Sequence, residues 1–122
     1  MLCAMMVCTG AWAQIYVWQE TALNDLVTGD VVVIVDKTSS TAMANNGGQE
    51  DAPAAISVTL DNGRISSHVT SNIQWEVTDI ANTDFYQFNV PGTEDYLYCI
   101  DEDNGLRIGT NNDNNFFSFE QD

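Results

Sequence analysis

The sequence predicts an all-β fold, and three observations support this class. Short runs in which apolar and polar residues alternate recur from residue 55 onward, as in strands that bury one face. Two Asp-Asn-Gly triplets, at 61–63 and 103–105, separate such runs. Asn-Gly favours a tight β-hairpin because both residues tolerate a positive φ. No stretch keeps the 3.6-residue apolar period of an amphipathic helix.

The predicted elements follow in chain order. Residues 21–26 are expected to form a turn or two of helix that ends before Gly29. The run 30–36 places five Val and Ile residues between two Asp residues, which indicates a strand buried on both faces. Residues 45–53 are rich in Asn and Gly and are predicted to be a loop. Further strands are predicted at 55–60, 64–65, 73–77, 86–90, 96–100, 106–108 and 116–119.

A spacing of 42 residues organises these strands. Val33, Trp75 and Phe117 follow one another at this step, and the two Asp-Asn-Gly turns are the same distance apart. Such a period predicts a copied unit of about four strands. Propellers need at least four such units, whereas a β-trefoil needs three. The sequence therefore predicts a β-trefoil-like barrel whose third repeat is incomplete.

The order of apolar and aromatic strands over residues 31–119 resembles ricin-type and fascin-type β-trefoils. Lectin trefoils carry Gln-x-Trp in each repeat, whereas here Gln74 directly precedes Trp75. Residues 26–35, followed by Trp75 and Tyr96-Leu97, are also similar to the opening of a domain found near the N-terminus of large secreted bacterial proteins. This second resemblance implies a module attached to a larger protein, truncated after Asp122.

The N-terminus has the features of a signal peptide. A short apolar run, 1–8, precedes Ala11-Trp12-Ala13, which has the small-x-small form of a cleavage site, although basic residues are missing before the run. We expect residues 1–13 to be a signal peptide and 14–122 to be a single β domain. The alternative is a lipoprotein signal with Cys8 as the lipidated residue. After cleavage Cys99 would be the single remaining cysteine, so an internal disulfide scaffold is excluded.

The charge narrows the range of partners. Three Lys and Arg residues face 18 Asp and Glu residues, a formal charge of -15. Such a chain repels phosphate backbones and anionic lipid, so we expect neither nucleic-acid binding nor membrane insertion. Hydrophobic residues make up 44% of the chain, which argues against disorder.

No set of residues in the sequence predicts catalysis. His68 is the only histidine, and it lies in a polar stretch that indicates an exposed loop. An alternative is a hydrolase with two carboxylates, which requires one acid held in an apolar pocket. Glu76 lies between Trp75 and Val77, but strand alternation points it outward. We therefore expect no enzyme activity.

Calcium is the one metal that the sequence suggests. Asp101 and Asp103 belong to an oxygen-rich run, Asp101-Glu-Asp-Asn-Gly105, and calcium prefers six to eight oxygen ligands on a flexible loop. The run lacks the spacing of an EF-hand and is equally explained as a hairpin turn. A calcium-stabilised structural domain is thus a third hypothesis, beside the binding module and the hydrolase.

Three aromatic residues are the candidates for ligand binding. Alternation from the inward Tyr86, Phe88 and Leu97 directs Phe85, Tyr96 and Tyr98 to the outer face of the sheet. Exposed rings stack on sugars or pack on protein partners. The leading hypothesis is a non-catalytic extracellular module that binds a glycan or a protein, or that spaces a catalytic domain of the same polypeptide.

Overall fold

The structure, a computed structural model, describes residues 3–9, 17–47, 52–99, 105–110 and 114–118. Within these ranges the chain is all-β, as predicted, and its helical structure consists of two single 3-10 turns, Leu23–Asp25 and Ser71–Ile73. The strands are β1 Cys3–Thr9, β2 Val17–Thr21, β3 Val31–Asp36, β4 Thr41–Gly47, β5 Pro53–Ser57, β6 Leu60–Asp61, β7 Arg64–Ile65, β8 Trp75–Asp79, β9 Tyr86–Asn89, β10 Tyr96–Cys99 and β11 Leu106–Gly109.

The sheet includes a nearly closed, barrel-like arrangement of seven strands. One path of neighbouring strands in it runs β5-β4-β3-β8-β9-β10-β11. Every strand pair among the described residues is antiparallel. β3 also pairs with β1, and the sheet continues from β1 through β2 and β7 to β6. β3 is therefore the strand at which the two parts of the sheet meet.

β3 is buried on both faces, which confirms the prediction from its continuous Val and Ile run. Val32, Val33 and Val35 have no exposed surface, and Ile34 is buried beside them. One edge of the strand pairs with β1, while the other pairs with β8 at its start and with β4 at its end. Because successive side chains point to opposite faces, β3 contributes to two separate cores.

The two cores lie on opposite sides of β3. The first contains Val33 and Val35, and the second contains Val32 and Ile34. Trp75 fills the second core, where its indole N–H donates a hydrogen bond of 3.0 Å to the carbonyl oxygen of Met43. The remaining buried members of the first core are Ala42, Ala44, Val58, Ile65 and Ile73, and those of the second are Leu26, Val77, Phe88 and Leu97.

The predicted hairpin at 61–63 is confirmed. Asn62 and Gly63 have φ values of 51° and 75°, and they connect β6 to β7 with Asp61 paired to Arg64. Positive φ at both central residues is the type I′ geometry, whose twist matches that of the flanking strands. The turn residues thus determine the register of this hairpin.

The predicted loop at 45–53 is wrong over its first three residues and at its last, because β4 continues to Gly47 and β5 begins at Pro53. Asn45, which suggested a loop, is buried, and its side-chain amide donates to the carbonyl oxygens of Ser71 and Gln74 at 3.0 and 2.9 Å. These bonds satisfy the polar group inside the fold and attach β4 to the 3-10 turn before β8. Residues 48–51 lie outside the described residues.

The 42-residue repeat and the trefoil stay predictions. Val33 lies in the first core, whereas Trp75 and Phe117 belong to the second. Phe117 forms an isolated bridge with Tyr86, and the strand predicted at 116–119 is otherwise absent from residues 116–118. The structure thus supports a barrel-like β fold and not a specific trefoil pattern.

Residues 3–9, which fall in the predicted signal peptide, form β1. This strand lies between β2 and β3 and pairs with five residues of each. Cleavage before Gln14 stays a prediction, and a chain cleaved there would lack the strand that joins the two parts of the sheet.

Tyr86 couples the fold to pH. Its hydroxyl donates to the carbonyl oxygen of Leu23 at 2.8 Å. Burial, and then the nearby Asp79 and Asp84, raise the pKa of Tyr86 above its ordinary value. The protonated phenol therefore stabilises the fold fully below its ordinary pKa of about 10, and this contribution is lost as pH rises through the higher folded value.

Tyr86→Phe is expected to lower the free energy of unfolding by about 1 kcal/mol at pH 7 because one hydrogen bond is lost. Above pH 10 its stability should decline less steeply than that of the unchanged chain. Urea unfolding between pH 7 and pH 11 measures both effects. Tyr98→Phe, which removes a phenol with no described hydrogen bond, is the control. Equal alkaline slopes for Tyr86→Phe and the unchanged chain would contradict the prediction.

Candidate binding face and cavity

Two of the three predicted binding residues come together on the outer face of β10 and β11. Leu97 points into the second core, so its neighbours Tyr96 and Tyr98 point outward, as predicted. In the ladder Tyr96 is opposite Gly109 and Tyr98 is opposite Arg107. We call these four residues the tyrosine face.

Gly109 determines how the ring of Tyr98 lies on this face. A Cβ atom at Gly109 would be 3.4 Å from Cε1 of Tyr98 and 3.9 Å from its hydroxyl oxygen. The ring therefore extends diagonally over the glycine of the neighbouring strand, where a larger side chain would contact it. Both tyrosines remain half-exposed, and no hydrogen bond engages either phenol within the described part of the chain. The face thus offers aromatic surface together with two hydroxyl groups.

Phe85, the third predicted residue, lies apart from this pair. It is 43% exposed and immediately precedes Tyr86, at the start of β9. Phe116, which is 50% exposed, precedes Phe117 on the other side of the Tyr86–Phe117 bridge. The sequence prediction missed Phe116, although alternation with the inward Phe117 could have identified it.

A cavity of about 380 Å³ opens where the barrel is not closed. Among the described strands, β5 pairs only with β4 and β11 pairs only with β10. The facing edges of β5 and β11 border the cavity, and β3 and β4 form its remaining wall. Its lining consists of Ile34, Asp36, Thr41, Ala42, Met43, Ala52, Pro53, Ala54, Ala55, Leu106 and Arg107.

The polar side chains of this lining have hydrogen-bond partners nearby. Asp36 Oδ1 accepts from the backbone N–H of Thr38 at 2.9 Å, and Thr41 shares a hydrogen bond of 2.8 Å with Ser39. Arg107 donates from Nη1 to the carbonyl oxygen of Leu106 at 2.8 Å, on the strand that borders the opening. The remaining lining is apolar.

The other predicted residues do not form a site in the described structure. His68 is exposed, and Glu76 lies on the strand face opposite the buried Trp75 and Val77. No Asp or Glu is buried among the described residues, so the enclosed acid of the hydrolase hypothesis is not found there. Asp101 and Asp103 lie outside the described residues. Within the described part, no three His, Cys, Asp or Glu side chains are grouped as a metal site would require.

Comparison with known proteins adds no relative. No family model matches the chain, and no curated protein or solved structure shows significant similarity to it. The candidate sites therefore depend on the geometry of this chain alone. None of the helices in the described residues is long and apolar enough to cross a membrane.

Proposed function

We propose that this protein is a non-catalytic extracellular module that binds a glycan on the tyrosine face. The resemblance to modules of large secreted bacterial proteins supports secretion and attachment to a larger polypeptide. The trefoil-like repeat belongs to the same proposal. Without a ligand, the module would act as a spacer for a neighbouring domain.

The observation that carries the proposal is the position of Tyr98 over Gly109. A half-exposed ring lying over a glycine presents a broad apolar surface at little conformational cost, since the packing already restricts the side chain. The apolar C–H face of a sugar ring can pack on such a surface, while the phenols of Tyr96 and Tyr98 can bond its hydroxyl groups. With a formal charge of -15, the chain favours a neutral glycan over an anionic one.

A glycan array probed with the full chain tests the proposal, followed by calorimetry with the best neutral glycan. Tyr98→Ala is expected to weaken binding at least about tenfold, because aromatic anchors dominate such interfaces. His68→Ala, an exposed substitution away from the tyrosine face, is the matched control and should bind as the unchanged chain does.

Two results would overturn the proposal. One is an array on which the full chain retains no neutral glycan above background. The other is a Tyr98→Ala variant that keeps its folded spectrum and binds the selected glycan with unchanged affinity. The first result would leave the spacer role. The second would direct attention to Phe85 and Phe116.

A further inference from the structure

The cavity between β5 and β11 is a second candidate site, reached from an observation independent of the tyrosine face. Leu106 lies in the lining and packs against the second core, whereas Tyr98 points to the outer face of the same sheet. Arg107 alone borders both regions. A ligand in the cavity would therefore contact residues that the tyrosine face does not use.

A small side chain on β5 leaves part of this space open. Ala55 lies in the lining, paired with Met43, where a larger side chain would extend over the cavity. Ala42 and Ala54 also border the cavity, but their side chains belong to the first core. Protein interiors are close-packed and contain few voids larger than a water molecule. A cavity of about 380 Å³ lies instead within the range of small-molecule sites. Water in an apolar cavity finds few polar partners, so an apolar ligand can displace it favourably.

The polar groups at the rim indicate which ligands are disfavoured. Asp36, Thr41 and Arg107 each have a hydrogen bond to their own or a nearby residue, and they lie at the rim rather than among the apolar side chains of the lining. A charged ligand would lose its hydration on entering and would meet mostly apolar atoms. The formal charge of -15 adds long-range repulsion of anions.

We propose that this cavity binds a small, uncharged, predominantly apolar molecule. Ile34, Met43 and Leu106 contact it from β3, β4 and β11, and Pro53 and Ala55 contact it from β5. This site is additional to the proposed glycan face, and its occupation does not require a glycan.

The experiment titrates the full chain with N-phenyl-1-naphthylamine, an uncharged apolar dye, and with 8-anilinonaphthalene-1-sulfonate, an anionic analogue of similar size. We expect saturable binding of the uncharged dye and at least tenfold weaker binding of the anion. Ala55→Trp, which fills the cavity from β5, should weaken binding of the uncharged dye at least tenfold. His68→Trp adds the same bulk at an exposed position outside the lining, and should leave binding unchanged.

Methyl NMR of the unchanged chain keeps the test decisive if Ala55→Trp does not fold. The uncharged dye should shift the methyl signals of Ile34 and Leu106 and leave those of Val58 and Ile65, in the first core, in place. Equal affinities for the two dyes, or binding that Ala55→Trp leaves intact, would overturn the proposal. So would unchanged methyl signals of Ile34 and Leu106 together with shifted aromatic ring signals of Tyr96, Tyr98 or Phe85, which would place the dye on the outer surface.

Discussion

Trp75→Ala is expected to lower the free energy of unfolding by about 3–5 kcal/mol, a large part of the about 5–15 kcal/mol that a domain of this size has. Trp75 is fully buried and is the largest side chain of the second core. The substitution leaves a cavity beside Val77 and Phe88, and it removes the hydrogen bond to the Met43 carbonyl. Both losses act on the contact between β8 and β4.

Urea unfolding followed by far-ultraviolet circular dichroism measures this effect. Trp75→Phe helps to separate the two losses, because it removes the N–H donor but keeps much of the apolar volume. We expect it to cost less than Trp75→Ala. Phe85→Ala removes an exposed aromatic side chain and should change stability by less than about 0.5 kcal/mol. A Trp75→Ala loss as small as that of Phe85→Ala would contradict the packing described for the second core.

Removal of residues 1–13 is expected to abolish the cooperative unfolding transition at 25 °C. β1 supplies the backbone partner for Val32, Val33 and Ile34 on one edge of the most buried strand, and for β2 on its other side. Without β1 these edges lose their hydrogen-bonding partners inside the fold, which is strongly unfavourable. Exposed strand edges also promote association, so aggregation is expected to accompany the loss.

A site-specific protease sequence placed between β1 and β2 allows this test on the folded chain. After cleavage, the released peptide should remain bound during gel filtration and should separate only in denaturant. The same protease site between β4 and β5, cut in parallel, controls for the effect of a chain break alone. A chain starting at Gln14 that unfolds with the same midpoint and stays monomeric would show that β1 is dispensable.

The comparison of the full chain with a chain starting at Gln14 also tests whether the fold is compatible with the predicted signal peptide. If the chain needs β1, cleavage before Gln14 would leave an open position between β2 and β3. If it does not, removal of the segment as a signal peptide is compatible with the fold. N-terminal sequencing of the protein purified from its natural source would then establish whether the segment is removed.

The sequence by itself determined the all-β class, the strand β3 and the hairpin at Asn62-Gly63. It also predicted the bounds of β9, β10 and β11 to within one residue, and it predicted that Tyr96 and Tyr98 point outward. These features are local: a two-residue alternation directs side chains to opposite faces, and Asn-Gly tolerates the positive φ that a tight turn needs. Burial of β3 on both faces could be predicted because a continuous Val and Ile run places apolar side chains on both faces of the strand.

Only the tertiary structure decided the role of β1, the extent of β4 and the existence of the cavity. In the sequence Asn45 indicates a loop. In the fold its side chain bonds two carbonyl oxygens that lie 26 and 29 residues further along the chain, which allows it to be buried in a strand. The cavity depends on the approach of β5 to β11, which are separated by about half the chain. Which distant strands approach each other is determined by the packing of the whole sheet. The spacing of residues along the sequence does not predict it.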